Sequence, residues 1–124
     1  MKIRNGFVSN SSSSCFILNL KKYGVKKLIK KMNSVCDNYV GLGRSTVKIL
    51  GKDVSNFAKY HMQDSEDKDF GNWILGYVEK IGEKNIVFVR ESDEGMGGYL
   101  FDEDPEGKNM KKLEELCEDS QEYH

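Results

Sequence analysis

The chain has 124 residues, 38% apolar and 31% charged, which suits one domain with a modest core and excludes a multidomain assembly or a wholly disordered polymer. Its net charge of −1 conceals a split: residues 1–60 carry twelve Lys/Arg against Asp37 and Asp53, and residues 61–124 carry seven against eighteen Asp/Glu. Such a split serves either two separate partners or two faces of one fold that attract each other, the second being the default in a small domain.

Residues 1–14 are rich in Gly, Asn and Ser and read as a flexible leader, with Phe7 and Val8 as its only apolar pair. Cys15 to Leu20 follows as a first strand. Val25, Leu28, Ile29, Met32 and Val35 recur at helical spacing, predicting an amphipathic helix over 24–36 whose other faces carry Lys22, Lys26, Lys27, Lys30 and Lys31. Asn38 to Ser45 is a glycine-bearing loop, Thr46 to Leu50 a short strand closed by Gly51, and Asp53 a candidate cap for a helix through Met62.

Gln63 to Asp69 reads as an exposed acidic connection. Trp73 to Ile81 fits two periods. Ile74, Tyr77, Val78 and Ile81 suit a helix ending at Gly82, whereas Trp73, Leu75 and Tyr77 would line one face of a strand. Ile86 to Val89 is the clearest strand, apolar and β-branched. A glycine-rich loop over 92–98, a short strand at Tyr99-Leu100-Phe101 and a helix opened by Pro105 and running through Cys117 complete the order. The expectation is a small single α+β domain over 15–118, with about four short, mostly antiparallel strands and about three helices, and a frayed polar tail over 119–124.

Cys15, Cys36 and Cys117 are odd in number and widely spaced, which suits a reducing, cytoplasmic setting better than a disulfide framework. No segment approaches the roughly 20 apolar residues of a membrane helix, so no membrane contact is expected. Nor does an apolar run long enough for a signal peptide follow Lys2 and Arg4.

Catalytic constellations are sparse. His61 and His124 are the available imidazoles, and His61 sits on the predicted helix beside Val54 and Phe57, where a satisfied, partly buried histidine is the ordinary outcome. Gly41-Leu42-Gly43-Arg44-Ser45-Thr46 evokes a phosphate loop without its Gly-Lys-Ser/Thr ending. The cysteine spacing does not suit zinc. Asp102 to Gly107 opens like a calcium loop, but Leu113 occupies the twelfth position, where a bidentate carboxylate belongs. No metal and no cofactor are expected, and the acidic turn is taken as a helix start.

Two charged surfaces carry the partner readings. Glu91, Asp93, Glu94, Asp102, Glu103, Asp104 and Glu106 cluster on adjacent loops, where they can mimic a phosphate surface and enter a basic groove on another protein. The lysine helix is the candidate for nucleic-acid contacts; it has no aromatic on its apolar stripe and none interleaved with its lysines, so a solvated face is its default.

The N-terminal run Arg4-Asn5-Gly6-Phe7-Val8-Ser9-Asn10-Ser11-Ser12-Ser13-Ser14-Cys15-Phe16 resembles the pattern Arg-x-Gly-Phe-Val-Ser-Asn, five serines and Phe. That pattern opens many small proteins of bacteriophages and of bacterial genomes carrying mobile elements. The likeness covers about the first 16 of 124 residues, and Cys15 stands where the fifth serine belongs. It implies a phage or mobile-element origin and no particular chemistry. Gly6, Phe7, Ser11, Ser12, Ser13, Ser14, Cys15 and Phe16 are its candidate modification or docking residues. The leading expectation is a non-enzymatic accessory protein acting in the host cytoplasm by binding a host or phage protein, as in host takeover or anti-defence. The second is a nucleic-acid-binding module using Lys22 to Lys31, and the third a small enzyme or processed substrate using Cys15 or a carboxylate pair such as Asp102 and Asp104.

Overall fold

A strand whose two faces are both covered reads as a continuous apolar run, because neither set of alternate side chains meets water. Cys15-Phe16-Ile17-Leu18 and Ile86-Val87-Phe88-Val89 are such runs, and all eight residues are buried. The computed structural model describes residues 13–32, 46–92, 101, 104 and 106–123. Within them these runs form the two central strands of a four-stranded antiparallel sheet of order β2-β3-β1-β4. The strands are β1 (Ser13–Asn19), β2 (Thr46–Leu50), β3 (Ile86–Ser92) and β4 (Asp119–Tyr123). Four helices cover the sheet: α1 (Val25–Lys31), α2 (Lys52–Met62), α3 (Lys68–Ile81) and α4 (Lys108–Leu116). The molecule is a small α+β domain, as expected, with one helix more among the described residues than the sequence suggested.

Alternation along the strands sorts the core into two layers. Cys15, Ile17, Ile86 and Phe88 pack with Val54, Phe57 and Ala58 of α2 and with Phe70 and Ile74 of α3. Phe16, Leu18, Val87 and Val89 pack with Val25, Leu28 and Ile29 of α1, with Leu113 of α4, and with Met32 and Phe101. The sheet is therefore sandwiched between α2/α3 on one side and α1/α4 on the other.

The ambiguity at Trp73 to Ile81 resolves as helix. The N–H of Gly82, at φ 97°, closes it on the carbonyl of Val78 at 2.8 Å. Several boundaries move. β1 begins at Ser13, so Ser13 and Ser14, expected in the leader over 1–14, belong to the sheet: Ser13 pairs with Ser92 and Tyr123, and Ser14 with Glu91 and Glu122. The tail expected to fray over 119–124 is instead β4, paired with β1 from Asp119 to Tyr123. Its polar composition belongs to an edge strand, which needs few apolar side chains and gains protection from charge.

α1 stops at Lys31 rather than running to 36, because Met32 turns extended and bridges Phe101. Lys48, reaching across from β2, donates its ammonium to the carbonyls of Ile29 and Met32 at 3.3 Å each, a second donor for the Ile29 carbonyl, which also accepts from the Met32 N–H. The cap of α2 is Gly51 at φ 61°, with Asp53 in the first turn. α4 begins at Lys108, and its starter is Asp104, whose carboxylate accepts from the N–H groups of Asn109 and Met110 at 3.0 and 3.1 Å. The connection after α2 holds one short 3-10 turn, Ser65–Asp67, with Asp64 accepting from the Glu66 N–H. The expected glycine loop over 38–45 and the strand residues Tyr99 and Leu100 lie outside the described residues.

Candidate functional site

The lysine-rich segment takes its shape from a tight exit from β1. Asn19 accepts from the Lys21 N–H through its side chain at 2.9 Å and from the Lys22 N–H through its carbonyl at 2.9 Å. Gly24, at φ 92°, then reverses the chain into α1, and its own carbonyl accepts from the Leu28 N–H. Left-handed backbone of this kind suits glycine. A Cβ placed there would sit 3.6 Å from Leu116 Cδ1, so the turn rests against the end of α4.

The consequence is a sharp division of side chains. Val25, Leu28 and Ile29 are buried on the sheet, while Lys26, Lys27, Lys30 and Lys31 are exposed, as are Lys21 and Lys22 in the turn. Lys108, Lys111 and Lys112 of α4 are exposed on the same side of the sheet. Among the described residues, only Lys108 of these nine has a carboxylate in salt-bridge range, that of Glu106 at 3.5 Å. Both of those groups are well exposed, and such a pair holds little energy. The other eight lysines are without an ion-pair partner among the described residues.

Tyr23 stands between Lys22 and Gly24 with 96% of its surface exposed. The periodicity of the helix places no aromatic among its lysines, but Lys21-Lys22-Tyr23-Gly24-Val25-Lys26-Lys27 places a ring at the mouth of the cluster. The available signal was this heptapeptide, with Gly24 marking that Tyr23 precedes the helix and is not bound by its periodicity.

The other candidate residues scatter. Of the acidic group, Asp93, Glu94, Asp102 and Glu103 lie outside the described residues. Glu91 is half-buried in β3 opposite Ser14 and Thr46, Asp104 is engaged in starting α4, and Glu106 is exposed. Of the N-terminal motif, Gly6, Phe7, Ser11 and Ser12 lie outside the described residues, Ser13 and Ser14 belong to β1, and Phe16 is core. Cys15 is fully buried, and burial pushes its thiol up to about 12 despite the opposing charge of Arg90, which lies opposite it in the sheet. It stays a thiol at neutral pH and lacks the thiolate that nucleophilic chemistry requires.

The α2/α3 layer holds two polar clusters, one around Asp119, which the sequence did not announce, and one around His61, which it did. Asp119 of β4 accepts from the Trp73 indole N–H at 2.9 Å and the Tyr77 hydroxyl at 3.0 Å, both on α3. The Trp73 bond is the main cause holding the Asp119 carboxyl below its usual range. His61 lies buried against Phe57, Phe70 and Tyr60, with ring centroids 4.6, 5.2 and 5.5 Å away, and its Nδ1 is 3.0 Å from Asp67. Among the described residues no three His, Cys, Asp or Glu side chains converge as metal ligands, and no helix is long and apolar enough to cross a membrane.

No protein-family model matches the chain, and no curated protein and no solved structure is significantly similar to it. The residues themselves therefore carry any functional reading.

Proposed function

We propose that this chain is a small, non-enzymatic accessory protein of bacteriophage or mobile-element origin that works in the host cytoplasm by binding a negatively charged macromolecule on its α1/α4 face. The observation that carries the reading is the row of exposed lysines along the turn and α1, none of which is neutralised by a described carboxylate. A cluster of uncompensated ammonium groups raises the local concentration of anionic partners and speeds their encounter. The origin rests on the likeness of the N-terminal run alone. Interference with host machinery, by takeover or by inhibition of a defence component, is the role in keeping with such an origin.

The test uses the opposite layer as an internal control. Lys52, Lys59, Lys68, Lys80 and Lys84 are exposed on the α2/α3 side. Acylation of all lysines by a mild amine-reactive ester, in buffer and then in bacterial lysate, should show Lys26, Lys27, Lys30 and Lys31 protected several-fold in lysate while the control lysines react equally in both. Equal protection of the two layers sinks the proposal.

A further inference from the structure

The lysine face also narrows what kind of polyanion it fits, an inference that rests on the binding reading above. We infer that the turn and α1 form a contact surface for single-stranded nucleic acid, with Tyr23 stacking on a base and the flanking lysines tracking the phosphate backbone.

The exposed ring is the first reason. A tyrosine at 96% exposure is not packed against the described residues, and it sits where Lys21 and Lys22 precede it and Lys26 and Lys27 follow one helical turn on. One flat ring flanked by point charges matches one base and its neighbouring phosphates along an unpaired strand, since every base offers a π-face and every linkage a charge. An acidic polypeptide would engage the lysines equally well but would leave the ring in water.

The dimensions of α1 argue against duplex DNA. Its seven residues make a rod of about 10 Å. Val25, Leu28 and Ile29 fix it flat on the sheet, so it cannot project into a major groove as a recognition helix does. Its exposed positions are all lysine. Lysine supplies compact positive charge to phosphates, whereas reading base edges calls for the planar donors and acceptors of Arg, Asn or Gln. Binding should accordingly be insensitive to sequence and sensitive to salt.

Charge distribution adds orientation. The turn, α1 and α4 carry nine exposed lysines against exposed Glu106, Glu114 and Glu115, while the α2/α3 side carries exposed Lys52, Lys59, Lys68, Lys80 and Lys84 against exposed Asp53, Asp64, Glu66, Asp69, Glu79 and Glu83. The excess of positive charge among the described residues is therefore on the α1/α4 side, which draws a strand there in preference to the opposite side.

The experiment measures fluorescence anisotropy of a labelled 20-mer of deoxythymidine with the full chain at low salt, a mixed-sequence duplex of equal length, and a labelled polyglutamate peptide. The 20-mer should bind more tightly than the duplex. Its affinity should fall with salt at a log–log slope of roughly −3 to −4 if four to six lysines meet phosphates. Tyr23→Ala should weaken the 20-mer about tenfold, with the slope unchanged, as loss of one stacked base predicts. Tyr23→Phe should restore it, and Tyr23→Ala should leave polyglutamate binding unaltered. Because Tyr23 is exposed, both variants should melt with the wild type, which circular dichroism verifies. Polyglutamate binding without 20-mer binding overturns this inference and leaves the binding proposal standing; absence of both at low salt overturns the two together. Tighter binding of the duplex, or a Tyr23→Ala variant equal to wild type, also overturns the inference.

Discussion

Trp73 and Tyr77 converge on one carboxylate oxygen of Asp119, and through that shared acceptor the C-terminal strand is fastened to α3. Charge-assisted bonds of this kind are stronger than neutral ones. The carboxyl is held below its ordinary range, chiefly by the Trp73 bond and against the effect of burial, while the Tyr77 phenol is pushed up, chiefly by its bond to Asp119. A depressed carboxyl gives stabilisation that is complete above the unfolded value of about 4 and disappears as pH falls through the lower folded value. The raised phenol works in the other direction: its contribution is complete below the unfolded value of about 10 and is lost as pH rises through the higher folded value. Asp119→Ala should thus cost about 1–2 kcal/mol at pH 7 and flatten the fall in stability below about pH 5. Urea midpoints at pH 7 and pH 3 measure both effects, and a variant matching wild type at pH 7 would show the bonds to be idle. None of this was legible beforehand. Asp119 lies 46 residues from Trp73, and a lone aspartate in a polar run gives no sign of a distant partner.

At the scale of elements, close approach decides how α2 and α3 sit. A Cβ on Gly71 would fall 2.8 Å from the carbonyl oxygen of Ala58 and collide with the Met62 side chain. The two helices meet backbone to side chain at that point because glycine leaves the space open. Gly71→Ala should force them apart and cost about 1–3 kcal/mol by overpacking, despite alanine's better helix propensity. Gly76 is on the same helix, and a Cβ there would meet nothing within 4 Å, so Gly76→Ala should be neutral or stabilising by up to about 1 kcal/mol. Thermal melts of the pair check the contrast, and equal shifts would refute the close approach. These elements also show why some parts of the fold were readable. The central strands announced themselves because both of their faces are covered, leaving no polar alternation to confuse them. Trp73 to Ile81 did not, because its apolar residues satisfy period 2 and period 3.6 at once. β4 carries Asp119, Ser120, Gln121 and Glu122, and its strand character comes from pairing with β1 rather than from any apolar face of its own. α1 ended early for a tertiary reason, the Met32 bridge to Phe101 and the reach of Lys48, neither of which a periodicity can contain.

For the whole molecule, the arrangement of charge sets stability against binding. α1 repeats like charges one turn apart, Lys26 with Lys30 and Lys27 with Lys31, and carries no acid in its first turn. Each such pair costs a few tenths of a kcal/mol, and the helix forgoes the gain that a carboxylate near its N-terminus would bring. A chain optimised for stability alone would not keep this composition on an exposed face, where substitution is cheap. Lys27→Glu removes one repulsion, creates a Glu-to-Lys pair with Lys31 in the favourable orientation, and puts an acid in the first turn. It should raise stability by about 0.5–1 kcal/mol, a few degrees in Tm for a domain of this size, while lowering affinity for the deoxythymidine 20-mer by severalfold. Added sodium chloride should bring the wild-type melting temperature toward that of the variant, because it screens the repulsion that the substitution removes. A variant that gains stability and keeps its affinity would mean that the lysines of α1 are solvated charge and nothing more. One that loses affinity while gaining stability is what a binding face, held against the interest of its own helix, must show.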